Sequence, residues 1–193
     1  MPESPPAGVV RCQWCSSDPV YQHYHDTEWG VPEYDAQKLF EKLLLDGFQA
    51  GLSWITILKK RDRYREVYRG FDPRFMADQD DDVLQALLQD PGIIRNRLKV
   101  YGARQNARAW LQLGQETDPG KWLWQFVGGQ PKVNHFQSFA EVPAITREAE
   151  NMSRALRKAG FTFVGPTICY AFMQATGMVM DHTADCFRYA ELS

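Results

Sequence analysis

Residues 24–54 read YHDTEWGVPEYDAQKLFEKLLLDGFQAGLSW. Asp35 can cap a helix in this stretch. The apolar residues that follow it recur at helical spacing, namely Leu39, Phe40, Leu43 and Leu44. The helix should end near Gly47, because glycine readily adopts the backbone conformation that ends helices. Ser53 can cap the next helix, so the stretch predicts two helices joined by a turn between glycines.

Similar signals recur along the rest of the chain. Caps, apolar spacing and Gly or Pro stops predict further helices over residues 53–70, a short turn from 72, and 82–89, 94–113, 118–126, 146–159 and 167–176. No alternating apolar pattern or Asn-Gly turn indicates a strand. We therefore predict an all-α fold in a single domain, residues 11–193, after a flexible proline-containing tail, residues 1–10.

Composition limits the class of protein. The chain has 193 residues, of which 44% are hydrophobic and 24% charged, as expected of a globular domain that buries its own core. No apolar run is long enough to span a membrane and no leader peptide is apparent, so we expect a cytoplasmic protein. Four cysteines in such a chain indicate free thiols or metal ligands, not disulfides.

Basic residues cluster in two places, although the net charge is only −2. Residues 59–69 contain six basic and two acidic side chains, and a second basic group follows in residues 95–108. Solvated helix faces explain such clusters most simply, while a surface for DNA phosphates is the alternative.

Metal-ligand residue types lie near the two ends of the chain. Cys12 and His25 form C-x12-H, and His182 and Cys186 form H-x3-C, which places both side chains on one face if that segment is helical. Two thiolates and two imidazoles complete a closed tetrahedral zinc site, which would be structural. The residues alone do not exclude two neighbouring candidates, Cys15 and His23.

Long motifs occur in a fixed order along the chain. They are YHDTEWGVP and FQAGLSW within residues 24–54, GIIRNR at 92–97, FTFVGPTICY and FMQA within 161–175, and the dipeptide at 181–182. Together they resemble the 3-methyladenine DNA glycosylase I family, over about residues 11–187. The resemblance implies an all-helical helix-hairpin-helix glycosylase fold with one structural Zn²⁺ ion.

The family pattern also selects among the metal candidates. Its early cysteine lies two residues before a tryptophan, which matches Cys12 and Trp14. Its Tyr-His-Asp motif matches His25, and its C-terminal pair matches His182 and Cys186. The resemblance therefore implies that these two cysteines and two histidines bind the zinc ion, and it leaves the two neighbouring candidates out.

The resemblance implies hydrolysis of the N-glycosidic bond of a methylated base in double-stranded alkylated DNA, with 3-methyladenine as product and no backbone cleavage. Methylation at N3 gives adenine a positive charge. Aromatic faces and a carboxylate attract such a cation once the base has been flipped out of the duplex. Trp14, Tyr24 and Trp54 match the family's aromatic pocket and Asp46 its base-binding carboxylate, so Tyr24 and Asp46 are candidate catalytic residues.

Other positions match the family's DNA contacts. Gln49 and Leu52 lie in its wedge region, and Gly165 and Thr167 belong to a hairpin whose backbone N–H groups would bind a phosphate. Residues 167–176 contain no lysine, so we predict base removal without a Schiff base. We expect the protein to act as a monomer.

Two acidic positions leave alternatives open. The family's carboxylate is usually glutamate, whereas Asp46 is one methylene shorter. A relative that binds damaged DNA without cleaving it, or that prefers another lesion, is therefore the alternative function. Asp181 lies near the position where many relatives activate water, but it adjoins a zinc ligand. A helical scaffold held by zinc is a third hypothesis, which predicts no salt-dependent affinity for DNA.

Overall fold

The computed structural model describes residues 8–193, which are mostly helical, as predicted. The helices are α1 (Pro19–Thr27), α2 (Ala36–Gln49), α3 (Trp54–Leu58), α4 (Arg61–Val67), α5 (Pro73–Asp78), α6 (Asp81–Leu87), α7 (Arg97–Glu116), α8 (Pro119–Trp124), α9 (Arg147–Lys158), α10 (Pro166–Ala175) and α11 (Phe187–Leu192). Most of the predicted tail lies outside the described residues. Within its described part, the carbonyl of Val10 accepts a hydrogen bond from the backbone N–H of Phe187.

Side-chain caps explain where several helices begin. The side chain of Asp35 accepts from the backbone N–H of Lys38 at 2.9 Å, and that of Thr146 accepts from Ala149 at 3.3 Å. Asp72 and Asp118 cap α5 and α8, each directly before a proline at the first helical position. These caps lie where the sequence places them.

Several helix boundaries differ from the prediction; α7, for example, continues beyond residue 113, its predicted end, to Glu116. The helix predicted over residues 53–70 is divided into α3 and α4 at Lys59 and Lys60. Lys59 pairs there with Asp18, and the Lys60 ammonium donates to the carbonyl of Pro91. The long helix α7 begins at residue 97, because the Asn96 side chain caps it by accepting from the N–H of Lys99.

The absence of strands was also predicted wrongly. β1 (Lys132–Val133) pairs in parallel with β2 (Val179–Met180). Asn134 continues the ladder by donating to the carbonyl of Met180 at 3.1 Å. Two residues on each side are too few to show the alternating pattern that marks a strand in sequence. The pairing joins the segment before α9 to the segment after α10.

Helix α2 runs through the centre of the molecule. Of its ten residues from Leu39 to Phe48, two are charged and partly exposed, and the other eight are buried: Leu39, Phe40, Leu43, Leu44, Leu45, Asp46, Gly47 and Phe48. It packs against α10, α7, α3 and α8. A smaller apolar cluster contains Cys12, Tyr24, Trp29, Leu58 and Cys186. The cavity described below lies where α2 meets this cluster.

None of the helices in residues 8–193 is long and apolar enough to cross a membrane.

Candidate functional site

A buried Cys–His cluster joins the two ends of the described chain. Cys12, His25, His182 and Cys186 are each at most 1% exposed, and their ligand atoms lie within 4.8 Å of one another. The Cys12 Sγ lies 3.3 Å from His182 Nδ1, and the Cys186 Sγ lies 3.4 Å from the same nitrogen and 3.5 Å from His25 Nε2. Ligands of tetrahedral zinc are separated by about 3.5 Å, so these spacings fit such a site.

The remaining nitrogen of each histidine in the cluster has a partner that fixes the ring. His25 Nδ1 lies 2.8 Å from Asp26, whose carboxylate is held by Arg11, and His182 Nε2 donates to the carbonyl of Trp29 at 3.0 Å. Such second partners orient histidines that bind metals. The contact between the two thiols lowers the pKa of Cys186 and raises that of Cys12.

The local structure of the C-terminal pair differs from the helical expectation. His182 and Cys186 lie in a turn before α11. The N–H of Cys186 donates to the carbonyl of Thr183 at 2.8 Å, and this turn brings the two side chains together. The neighbouring candidates lie outside the cluster: the thiol of Cys15 contacts the carbonyl of Ser16, and His23 is exposed.

Next to the cluster is a cavity of about 410 Å³ with aromatic and polar walls. It is lined by Trp14, Tyr21, Tyr24, Trp29, Lys42, Asp46, Gln49, Trp54, Phe139, Val142, Pro143, Ala144, Thr167, Tyr170, Ala171, Gln174 and Ala175. A cavity of this size and composition suits a planar heterocycle. All four residues predicted to contact a base are among its walls.

The three predicted aromatic residues form one wall through mutual contacts. The rings of Tyr24 and Trp54 lie 5.3 Å apart, and those of Tyr24 and Trp14 lie 6.4 Å apart. Trp14 also packs on His25 of the metal cluster at 5.3 Å. The position of this wall is therefore linked to the cluster.

Asp46 is buried in the cavity wall with a lysine beside it. Its carboxylate is only 3% exposed, and its Oδ1 accepts from the Lys42 ammonium at 2.5 Å. No described residue supplies a hydrogen bond to its Oδ2 or accepts one from the indole N–H of Trp54. Buried polar atoms without a protein partner at a cavity indicate a place for a ligand or water. Burial raises the pKa of Asp46, whereas the attraction of Lys42 opposes the rise.

The turn between α2 and α3 carries the two predicted wedge residues. Gln49 lines the cavity and donates to the carbonyl of Leu52, which is 38% exposed. Gly51 adopts a positive φ of 78° in the turn. The buried ammonium of Lys99 donates to the carbonyls of Phe48 and Ala50 and so anchors the turn to α7.

The predicted phosphate hairpin lies at the start of α10. Gly165 precedes the helix with Pro166 at its first position, and Thr167 is exposed and also lines the cavity. Phe163 adopts a positive φ of 57°, which fits a tight turn before the helix. The first N–H groups of α10 are therefore available near the cavity.

Asp181 lies behind the cavity wall, not in it. It is 2% exposed and accepts from Tyr170 at 2.5 Å, Gln174 at 2.9 Å and Asn134 at 2.7 Å. Three donors therefore occupy its two oxygens. Because Tyr170 and Gln174 line the cavity, Asp181 positions two of its walls.

Many basic side chains of the two clusters have partners within the protein. Arg61 pairs with Glu28, Arg65 with Glu41, and Arg104 with Asp81. Arg63 pairs with Asp90, and Arg108 donates to the carbonyl of Ala77, adding two further internal partners. These contacts account for a large part of both basic clusters without a DNA phosphate.

Sequence reasoning missed several cavity residues, among them Lys42, Tyr21, Trp29, Tyr170 and Gln174. Trp29, Tyr170 and Gln174 lie within the family motifs, and Lys42 carried a signal of its own. It precedes Asp46 by four positions, the spacing at which opposite charges on a helix meet.

Comparisons with known proteins identify the family. The methyladenine glycosylase family model matches residues 14–189. DNA-3-methyladenine glycosylase 1 of Escherichia coli (strain K12) is 50% identical over 182 residues, which cover 94% of this chain and 97% of that protein. A crystal structure of 3-methyladenine DNA glycosylase I superposes with a TM-score of 0.91 at 49% identity, over 92% of this chain and 98% of that chain.

A further solved structure addresses 3-methyladenine recognition by 3-methyladenine DNA glycosylase I from Staphylococcus aureus. It has a TM-score of 0.89 and 34% identity, over 92% of this chain and 95% of that chain. Sequence and fold thus agree over nearly the whole length of these proteins, and the chain belongs to the methyladenine glycosylase family.

Proposed function

We propose that this protein excises 3-methyladenine from double-stranded DNA by hydrolysing the N-glycosidic bond and leaves the backbone intact. The observation that carries the proposal is the cavity in which a buried Asp46 carboxylate faces the same space as the rings of Trp54 and Tyr24. Relatives named for this activity share the fold over nearly all of their length.

The cavity suits the chemistry of this lesion. The methylated base is a cation while attached to the sugar and leaves as a neutral molecule, so its departure needs little acid catalysis. Trp54 and Tyr24 would stack on the base, and Asp46 would attract its positive charge through the oxygen that has no partner among residues 8–193. Trp14 completes the aromatic wall. The sugar would lie at the cavity mouth, where a water can reach it.

DNA contacts would surround the cavity mouth. The base has to leave the stack, and we infer that Gln49 and Leu52 fill the gap because they lie on the exposed turn beside the cavity. Gly165 and Thr167 would present the N-terminus of α10 to a phosphate. The nearby Lys99 holds the wedge turn and is not itself free to bind DNA.

We further propose that the Cys–His cluster binds one structural Zn²⁺ ion. Cys12, His25, His182 and Cys186 form a complete soft-ligand set with both histidines oriented by second partners. When bound, zinc would supply a cross-link and no chemistry, because four protein ligands leave no position for water. The cross-link would hold Trp14 and Tyr24, which are close neighbours of ligands in sequence.

Release of free base from methylated duplex DNA tests the proposed activity. We expect wild-type protein to release 3-methyladenine well above the spontaneous rate and Asp46→Asn to lose about 10- to 100-fold, since a charge-assisted contact is worth about 1.5–3 kcal/mol. Asp62→Asn is the matched control, because that carboxylate is 92% exposed.

Zinc-loaded, folded wild-type protein that releases no base would refute the proposal. Tight binding of lesion-containing DNA without turnover, together with activity gained by Asp46→Glu, would instead identify a binding-only relative.

A further inference from the structure

Lys42 places a cation inside the cavity proposed for the base. Its Nζ lies 3.7 Å from the centre of the Trp54 ring and 5.8 Å from that of Tyr24. The same ammonium donates to Asp46 Oδ1 at 2.5 Å. It therefore uses both the aromatic face and the carboxylate that would attract a cationic ligand.

The surroundings of Lys42 show which charges balance it. Its side chain is 14% exposed. The charged groups that act on it are Asp46 on its own helix, Glu28 on the α1 side, and Arg61 on α4. Glu28 is already paired with Arg61 through two hydrogen bonds. Asp46 is therefore the carboxylate that compensates Lys42 in the cavity.

A second cavity, of about 540 Å³, begins on the other side of Lys42. Lys42 and Tyr24 line both cavities, and the second one is also lined by Glu28 and Glu41, which pair with Arg61 and Arg65. Because Lys42 belongs to both walls, rotation about its own side-chain bonds can carry the ammonium from the first cavity into the second. Asp46 and Trp54 would then face the first cavity without a resident cation.

We propose that Lys42 is a specificity-determining residue: its ammonium occupies the cation position between Asp46 and Trp54, and a cationic base binds there only when that ammonium moves away. The inference rests on the proposed function, since it requires the cavity to receive the flipped base. Like charges at one position repel, so Lys42 weakens the binding of a cationic base relative to a neutral base of similar shape.

Substitutions that remove or keep the charge test the proposal. Lys42→Gln and Lys42→Met are neutral, whereas Lys42→Arg stays charged. The ligands are 3,9-dimethyladeninium, a fixed cation, and 3-methyladenine at a mildly alkaline pH at which it is neutral, with binding measured by calorimetry. We expect both neutral variants to bind the cation at least about tenfold more tightly than wild type, because a nearby like charge has been removed. Binding of the neutral ligand should change much less, and Lys42→Arg should match wild type.

Lys38→Gln is the matched control. It removes the same charge from α2 one turn earlier, where the side chain is 69% exposed and paired with Glu33. The ratio of cation to neutral-ligand affinity is taken within each variant, so a general loss of folded protein cancels. Equal ratios in wild type, Lys42→Gln, Lys42→Met and Lys38→Gln would overturn the proposal. An equal gain for both ligands would also overturn it, because that result indicates a steric role.

The same measurements distinguish failure of the Lys42 proposal from failure of the proposed enzyme activity. Wild-type protein that binds both ligands but releases no base from methylated duplex DNA would refute the enzyme activity and leave the effect of Lys42 on cation binding intact. If neither wild type nor any variant binds either ligand, both the base cavity and the role of Lys42 are refuted.

Discussion

At the scale of single residues, the buried carboxylate of Asp46 combines a charge with an apolar setting. Burial raises its pKa and the Lys42 ammonium opposes the rise, but the net direction is upward. Only the ionised form attracts a cationic base. The carboxylate therefore becomes ineffective at a higher pH than an ordinary aspartate would as the solution is acidified.

The pH dependence of base release follows from this shift. After subtraction of spontaneous release, we expect kcat/KM to fall on acidification with an apparent pKa above about 3.9, the ordinary aspartate value. Asp46→Asn should lower the plateau and remove this acid limb, because the amide does not titrate in this range. An identical acid limb in wild type and Asp46→Asn would assign the titration to another group.

The sequence predicted some residues of the cavity but not all of their contacts. The match to the family placed Asp46, Trp14, Tyr24 and Trp54 together, and all four line one cavity in the structure. Their roles in base binding and catalysis stay predictions. The position of Lys42 over Trp54 depends on how α2 lies against α3, and helical spacing within α2 alone does not give it.

At the scale of elements, α2, α3 and α7 meet at the turn that carries Gln49. Lys99 of α7 reaches this turn with a buried ammonium and donates to two carbonyls at the end of α2. A cation at a helix C-terminus is favourable because the free carbonyls there carry partial negative charge. The long helix therefore sets the position of the wedge turn.

Lys99→Met should remove that anchor. We expect the free energy of unfolding to fall by about 1–3 kcal/mol, since two carbonyls lose their donor. Release of 3-methyladenine should fall as well, because the turn with Gln49 loosens. Lys158→Met, at an exposed position of α9, should change stability by no more than about 0.5 kcal/mol. Chemical denaturation and base release measure the two effects, and equal behaviour of the variants would refute the anchoring role.

The turn after α10 requires a glycine at position 177. Gly177 has a φ of 65°, and a Cβ there would lie 2.4 Å from the backbone nitrogen of Pro32. Gly177→Ala should therefore cost more than about 2 kcal/mol of stability, from left-handed strain and overlap with a neighbouring backbone. In Gly128→Ala, with φ 78° and open space around the added Cβ, strain acts alone and the loss should be smaller. Similar losses in both would show that the close approach is unimportant.

At the scale of the whole molecule, the Cys–His cluster connects positions separated by most of the chain. Cys12 and His182 approach to 3.3 Å across 170 residues. Trp14 packs on His25 of the cluster and also lines the cavity. A bound metal would therefore stabilise the fold and position the base-binding wall through the same residues.

Metal removal should affect both properties together. We expect chelation to lower Tm and weaken 3-methyladenine binding, with recovery of both on adding back zinc, because the aromatic wall loses its support. Cys186→Ser should behave like chelated protein, whereas Cys15→Ser should behave like wild type, since its thiol lies outside the cluster. Elemental analysis should give one zinc per chain. Unchanged ligand binding after complete zinc loss would contradict the link between cluster and cavity.

The sequence by itself predicted most helical segments and caps, and its resemblance to the family selected the four residues of the Cys–His cluster and the residues of the base cavity. These features depend on neighbours a few residues apart or on motifs that keep their order along the chain. The tertiary structure decided the break between α3 and α4, the β1–β2 pairing, the non-helical turn at His182, and the contacts of Lys42, Lys99 and Asp181. Each of these depends on how elements pack against one another, and the packing energy of such distant contacts has no local signature in the sequence.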